Sequence, residues 1–123
     1  MRDDDVLVIG SANLDYIVQI DVPPRPGETV LARHMVKHAG GKGANQAVAA
    51  ARMGASVRFV GCVGDDDDGA LLQRALRAEG VDASAVEIVG DVQTGLALVS
   101  VFDSGENSIT VVPGANFALQ AEH

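Results

Sequence analysis

Cysteine is nearly absent from this sequence of 123 residues, in which Cys62 is the only one. A single thiol excludes an intramolecular disulfide and the paired cysteine spacings of a zinc site. Chains without disulfides are typical of the cytoplasm, where we expect this protein to reside. Cys62 itself lies within the apolar run 57–63, so we interpret it as a small core residue and not as a nucleophile.

Aromatic residues and positive charge are also scarce. Aromatic side chains make up 3% of the chain, tryptophan is missing, and the net charge at pH 7 is −8. Nucleic-acid binding needs clustered cations that contact phosphates and several aromatic faces on which bases stack. The composition therefore argues against a nucleic-acid partner and favours a small, uncharged substrate.

Long apolar runs and a basic N-terminus are missing as well. No stretch approaches the roughly 18 apolar residues that a membrane span requires, and acidic residues follow the first two positions. We expect neither a targeting signal nor a membrane partner. What is present is a globular composition, with 47% hydrophobic and 21% charged residues. This is enough to form the core of one domain.

Strand-like and helix-like patterns alternate in the first two-thirds of the chain. The apolar runs 6–10 and 57–63 predict strands of a parallel sheet that are buried on both faces. Apolar residues at helical spacing predict one helix over 41–53 and another over 71–78, each followed by a glycine that ends it. This order predicts an α/β fold, a Rossmann-like parallel sheet with flanking helices.

Further β-rich segments lie around this unit. Residues 16–20 and 28–38 flank a proline-rich turn, and residues 95–102 and 108–112 flank a second turn. Each pair predicts two neighbouring strands, and the stretch 86–89 predicts one more. We expect the parallel sheet to be incomplete and to have an open edge.

The segment 40–47 (GGKGANQA) is a glycine-rich loop that runs into the predicted helix. Glycines let a backbone approach a ligand closely, and a helix start offers free N–H donors. The loop is not a Walker A phosphate loop, because Gly43 stands where Ser or Thr is required and Val36 stands where the first glycine is required. A dinucleotide-binding pattern fails as well. The N–H groups, the Lys42 ammonium and the Asn45 amide instead suit hydroxyl groups.

Asn13 and Asp15 follow the first predicted strand, at the end where ligands bind in open parallel sheets. Residues two apart in a strand point to the same side. A carboxylate accepts hydrogen bonds and an amide both donates and accepts, so this pair matches a vicinal diol. The alternative is an Asx turn that ends the strand and has no functional role.

Five short motifs occur together in the order and spacing of one known family. They are 10–15 (GSANLD), 26–29 (PGET), 40–47 (GGKGANQA), 64–66 (GDD) and 114–116 (GAN). In these motifs the sequence resembles the ribokinase-like, or PfkB, family of sugar and nucleoside kinases. The resemblance covers essentially the whole chain, yet less than half of the usual family length. The GKGANQ form of the loop is similar to that of members acting on D-ribose or deoxyribose.

The resemblance implies a sugar site. Two polar side chains of the first motif would bind sugar hydroxyls, the glycine loop would close around the sugar, and an amide of the helix would complete the site. The residues so implied are Asn13, Asp15, Gly40, Gly41, Lys42 and Asn45. The resemblance also implies that strands within about 15–38 and 95–112 form a β-sheet lid on the α/β core. In many members this lid pairs two subunits into a homodimer.

The family reaction transfers a phosphoryl group from ATP to D-ribose and yields D-ribose 5-phosphate and ADP. It implies ATP, Mg²⁺ and a monovalent cation such as K⁺ as cofactors. The family carries its catalytic base in a Gly-Ala-Gly-Asp segment, which these 123 residues do not contain. We therefore expect an N-terminal, sugar-binding part that holds no catalytic, nucleotide or metal residues and is inactive alone.

Other features have simpler interpretations. The acidic run 65–68 could suggest a metal site, but acids before a helix more often cap it. His34 and His38 lack a third metal ligand at a defined spacing, so we interpret them as solvated lid residues. The loop glycines could serve helix-to-sheet packing alone, although the complete motif set favours a binding role.

Three classes of function stay open from the sequence. The first is a ribokinase-type carbohydrate kinase represented by its N-terminal part. The second is a sugar-binding or regulatory module without catalysis. The third is a nucleotide-binding α/β domain of another kind. Ribose binding would support the first two, whereas NAD or ATP binding without sugar would support the third.

Overall fold

The computed structural model describes residues 5–119. Parallel strand pairs, two helices and a mixed sheet account for most of them. The elements in chain order are β1 (Asp5–Ile9), β2 (Asn13–Gln19), β3 (His34–Gly40), α1 (Lys42–Arg52), β4 (Ser56–Val60), β5 (Cys62–Gly64), α2 (Asp67–Ala78), β6 (Glu87–Val89), β7 (Leu96–Val101), β8 (Asn107–Val112) and a 3-10 helix (Gly114–Ala118).

The predicted α/β unit is confirmed. β1 pairs in parallel with β4, and the chain between them forms β2, β3 and α1. β5 pairs in parallel with β6, and the chain between them forms α2. Apolar side chains from β2, β4, β5 and the inner faces of both helices form one core. Its largest buried members are Leu14, Val57, Phe59, Val63, Leu72, Leu76 and Val81. Burial of these side chains is the main stabilising contribution of the unit.

The burial predicted for β1 is wrong. Val8 packs against the core, but Leu7 and Ile9 on the opposite side of the strand are 49% and 60% exposed. An apolar run reports that a strand can be buried on two faces. The run does not indicate whether other elements among residues 5–119 cover both faces of the strand.

The single strand predicted over 57–63 is divided into β4 and β5. Gly61 separates them, and a Cβ atom on this glycine would lie 2.6 Å from the Phe59 ring and 2.8 Å from the Gly10 carbonyl oxygen. The chain changes partners at this point, since β4 pairs with β1 and β5 pairs with β6. The apolar pattern predicts strand on both sides of Gly61 but does not reveal the change of partner.

A four-stranded sheet in the order β3-β2-β7-β8, called the mixed sheet below, lies beside this unit. β2 is antiparallel to β3 and parallel to β7, and β7 forms a hairpin with β8, as the sequence pattern predicted. The strand predicted over 28–38 begins only at His34. Arg33 precedes β3 and forms ion pairs with Asp21, which follows β2, and with Asp103, which follows β7. These ion pairs join the ends of the three strands on this side of the mixed sheet.

The helix ends follow the sequence signals. Gly54 and Gly80 adopt positive φ angles just after α1 and α2. The acidic run caps α2, because the Asp66 side chain accepts a hydrogen bond from the Gly69 N–H at 2.8 Å. Within residues 5–119, neither helix is both long enough and apolar enough to cross a membrane.

Asp66 also joins α2 to the start of β7. Its carboxylate accepts hydrogen bonds from the backbone N–H and the hydroxyl of Thr94, at 2.9 and 2.5 Å. The buried Thr94 hydroxyl in turn accepts a hydrogen bond from the Gly64 N–H at 2.9 Å. Burial alone would raise the pKa of Asp66, but the hydrogen bonds from Thr94 and Gly69 lower it below the ordinary 3.8.

We expect Asp66→Ala to lower the free energy of unfolding by about 1 to 2 kcal/mol at pH 7, the usual effect of losing a helix N-cap. Because the pKa of Asp66 is lower in the folded state, its stabilisation is present above pH 3.8 and is lost as the pH falls through the folded value. Urea unfolding at a series of pH values measures both effects. Asp65→Ala is the matched control, and an equal loss of stability in both variants would contradict the assignment.

Candidate functional site

The glycine loop, residues 40–43, lies directly against the connection between β1 and β2. A Cβ atom on Gly43 would lie 2.8 Å from the Ser11 nitrogen, and one on Gly41 would lie 2.8 Å from the Ala12 Cα. Gly41 also has a φ of 97°, which L side chains rarely adopt. The Ala44 N–H donates to the Ser11 carbonyl oxygen at 2.9 Å. The two motifs separated in the sequence therefore meet backbone to backbone.

Asn13 and Asp15 lie two residues apart within β2, so their side chains lie on the same face of the mixed sheet. In the register with β3, Asn13 is opposite Gly40 and Asp15 is opposite His38. The Asp15 carboxylate extends over Gly40, where a Cβ atom would lie only 2.5 Å from Asp15 Oδ2. Any side chain at position 40 would displace the carboxylate. The alternative of an Asx turn does not apply, because both residues continue the strand.

The Asp15 carboxyl is partly removed from water. Burial raises its pKa above the ordinary 3.8, and the positive charge of His38 partly opposes that rise. A partly desolvated carboxylate forms stronger hydrogen bonds with a ligand hydroxyl than one surrounded by water. Asp15 is therefore suited to accept hydrogen bonds from a neutral ligand.

Asn116 completes this group, although the sequence pattern assigned it no role. Its amide forms hydrogen bonds with the Ala12 N–H and C=O at 3.0 and 3.2 Å, and its Nδ2 donates to Asn13 Oδ1 at 2.7 Å. The 3-10 helix after β8 carries it to this place. The GAN motif was the one available signal, and it does not indicate which residue Asn116 contacts.

Lys42 and Asn45 lie in the first turn of α1, and both are exposed. Asn45 lies in the wall of a groove of about 310 Å³ between α1, α2 and the end of β3. The lining of that groove includes His38, the partner of Asp15 in the strand register, but neither Asn13 nor Asp15. The role of Asn45 and Lys42 at the same sugar as Asp15 therefore stays a prediction.

A polar contact fixes the mixed sheet against α2. The Tyr16 hydroxyl donates a hydrogen bond to Asp68, and this bond is the main cause of the raised pKa of Tyr16. Lys37 Nζ lies 3.7 Å from Asp68 and 5.0 Å from the centre of the Tyr16 ring. Tyr16 points to the face of β2 opposite Asp15, so this contact holds the sheet on the face that does not carry the site.

The other titratable residues do not assemble into a site. Among residues 5–119, no group of three or more His, Cys, Asp and Glu side chains could hold a metal ion. Cys62 is buried, and burial, followed by the charge of Glu87, raises the pKa of its thiol. A raised pKa disfavours the nucleophilic thiolate, which agrees with a core role for Cys62.

Comparison with known families identifies the class of this protein. The profile of the pfkB family carbohydrate kinases matches residues 3–123. The chain belongs to this family. Its α/β unit and the mixed sheet are accordingly those of the ribokinase fold.

The similar proteins include several ribokinases. The chain is 48% identical over 112 residues to ribokinase of Bacillus subtilis, covering 91% of this chain and 38% of that protein. It is 43% identical over 112 residues to ribokinase of Haemophilus influenzae, covering 91% of this chain and 37% of that protein. The structure of Arabidopsis thaliana ribokinase complexed with ribose and ATP superposes with a TM-score of 0.83 at 43% identity, covering 89% of this chain and 36% of that one. The chain thus spans little more than a third of the length of these relatives.

The position of His38 opposite Asp15 predicts a measurable coupling. We expect His38→Ala to raise the pKa of Asp15 further, because the imidazolium charge that lowers it is removed. Titration of the Asp15 side-chain carbon by NMR measures this pKa. His34→Ala is the matched control, since His34 lies opposite Gln19 at the other end of β3. An unchanged or lowered Asp15 pKa in His38→Ala would contradict the coupling.

Proposed function

We propose that this chain is the sugar-binding part of a ribokinase-type carbohydrate kinase and that D-ribose is its ligand. The observation that carries the proposal is the placement of the Asp15 carboxylate over Gly40, beside Asn13 on one face of β2. The sugar would contact Asn13, Asp15, Gly40, Gly41, Lys42 and Asn45.

The chemistry of this group fits a polyol. Asp15 is an acceptor, the Asn13 amide adds donors, and the two stand two residues apart on one strand face, a spacing that suits neighbouring hydroxyl groups. The glycine loop serves the site by close packing, because Gly40 leaves the space that the Asp15 carboxylate occupies and Gly41 lets the loop lie against Ala12. Deoxyribose is the second candidate, and it differs from ribose by one hydroxyl.

The mixed sheet would act as the lid over the sugar. Closure of such a lid excludes water that competes for the phosphoryl group. The contact of Tyr16 and Lys37 with Asp68 would set the angle at which this sheet stands on the core.

ATP would be the phosphoryl donor, with Mg²⁺ and a K⁺ ion as the cations of the family. Among residues 5–119, no group of three or more His, Cys, Asp and Glu side chains could hold Mg²⁺. We propose that residues other than these 123 supply the catalytic base and the nucleotide site. In this proposal the chain positions the sugar and leaves phosphoryl transfer to that further part.

Calorimetric titration with D-ribose tests the proposal. We expect binding by the unchanged chain and a loss of about tenfold to a hundredfold in Asp15→Ala, since a hydrogen bond to a charged group contributes about 1.5 to 3 kcal/mol. The exposed Asp65→Ala is the control and should bind normally. Equal ribose affinity in Asp15→Ala would contradict the sugar site. When ATP and Mg²⁺ are added to the same samples, ribose-dependent formation of ADP would contradict the assignment of catalysis to other residues.

The mixed sheet also presents an apolar surface suited to a second copy of the chain. Val36, Ile109 and Val111 lie on the Asp15 face by register and are 51%, 57% and 54% exposed. We propose that two chains pair through this face. Burial of exposed apolar area would drive the association.

Light scattering measures this pairing. We expect a dimer for the unchanged chain and a monomer for Ile109→Lys, because a charge at this position would be buried without a partner. Leu98→Lys is the matched control, since Leu98 is 50% exposed but lies on the opposite face with Tyr16. A monomeric unchanged chain, or equal effects of both substitutions, would contradict pairing through this face.

A further inference from the structure

Both Nδ2 hydrogens of Asn116 are used in hydrogen bonds. Its Nδ2 carries two hydrogens, and these donate to the Ala12 carbonyl oxygen at 3.2 Å and to Asn13 Oδ1 at 2.7 Å. Its Oδ1 accepts from the Ala12 N–H at 3.0 Å. Contacts to both polar groups of Ala12 determine which end of the Asn116 amide faces Asn13. If this amide were flipped, its oxygen would face the Ala12 oxygen and its nitrogen would face the Ala12 nitrogen.

The orientation of Asn116 determines that of Asn13. Because Asn116 presents a donor, Asn13 must present Oδ1 to it, and its own Nδ2 then points away from Asn116. Within residues 5–119, Asn13 Nδ2 donates no hydrogen bond, and it is not a buried unsatisfied group. The Nδ2 hydrogens of Asn13 are therefore available to a ligand on the face that Asp15 shares.

The surrounding backbone is shaped to hold this amide pair. Gly95 lies directly beneath it, where a Cβ atom would be 2.3 Å from Asn116 Nδ2 and 2.6 Å from Asn13 Oδ1. Gly114, with a φ of 53°, turns the chain after β8, and the Ala115 N–H donates to the Gln93 carbonyl oxygen at 2.8 Å. These contacts bring Asn116 to Asn13 across a separation of 103 positions in the sequence.

We propose that Asn116 is a positioning residue that fixes the Asn13 amide with its donor side toward the sugar. The inference rests on the proposed function and refines it. The site then presents a donor at Asn13 and an acceptor at Asp15. A substrate must offer an oxygen that accepts at the first position and a hydroxyl that donates at the second, which excludes a protonated amino group facing Asn13.

Hydrogen exchange of side-chain amides tests this orientation without any ligand. In ¹⁵N-labelled chain, we expect the Nδ2 hydrogens of Asn116 to exchange slowly with solvent and those of Asn13 to exchange fast. In Asn116→Asp, the carboxylate would accept from Asn13 Nδ2, so Asn13 would reverse and its hydrogens would become protected. In Asn116→Ala, they would stay unprotected. A purely structural role for Asn116 would not produce this difference between the two variants.

Titration with D-ribose provides the second measurement. We expect Asn116→Asp to bind ribose about tenfold more weakly, the usual effect of losing one well-placed hydrogen bond to the ligand. Gly95→Ala should weaken binding similarly, because it displaces the pair while retaining both amides. Asp65→Ala, at an exposed position before α2, is the control and should bind like the unchanged chain.

The outcomes separate this inference from the proposed function. Slow exchange at Asn13 in the unchanged chain, or unaltered exchange and unaltered ribose affinity in Asn116→Asp, would overturn the positioning role. If the unchanged chain binds no ribose, the proposed function fails, while the exchange rates still decide the orientation of Asn13. If Asn116→Asp does not fold, the exchange rates in the unchanged chain decide the proposal.

Discussion

The contact between the glycine loop and the β1–β2 connection is the constraint on which the rest of the structure depends. A Cβ atom at position 41 or 43 would lie 2.8 Å from backbone atoms of that connection, so only glycine permits this approach. The approach places the start of α1 beside the end of β1 and lets β3 pair with β2. The loop that resembles a phosphate loop in composition thus functions first as a packing surface for another backbone.

The polar group above this contact follows from it. Once β3 is in register with β2, Gly40 lies under Asp15 and leaves space for the carboxylate. From the other side, Asn116 and Thr94 bring the hairpin β7–β8 and helix α2 to the same region through hydrogen bonds to Ala12, Asn13 and Asp66. The Asn13 amide is therefore held by Asn116, and the Asp15 carboxylate occupies the space above Gly40.

Much of the fold could be predicted from the sequence because its signals are local. Period and turn residues indicated both helices, the β7–β8 hairpin and the cap at Asp66. The predictions that failed concern features that depend on contacts between residues far apart in the sequence. The division of one apolar run at Gly61 follows from a change of strand partner, and the exposure of Leu7 and Ile9 follows from which elements cover β1. For the site, motif resemblance indicated Asn13, Asp15 and the glycine loop, but it assigned no role to Asn116.

The sequence alone determined the class of fold, the family, and the residue types available for hydrogen bonding, because periodicity and short motifs depend on neighbours along the chain. Only the tertiary structure decided that Gly40 supports Asp15, that Asn45 lies in a groove lined by His38 and not by Asp15, and that Asn116 determines which end of the Asn13 amide faces outward. These relations depend on strand register and on contacts between residues far apart in sequence, which composition and local pattern do not contain.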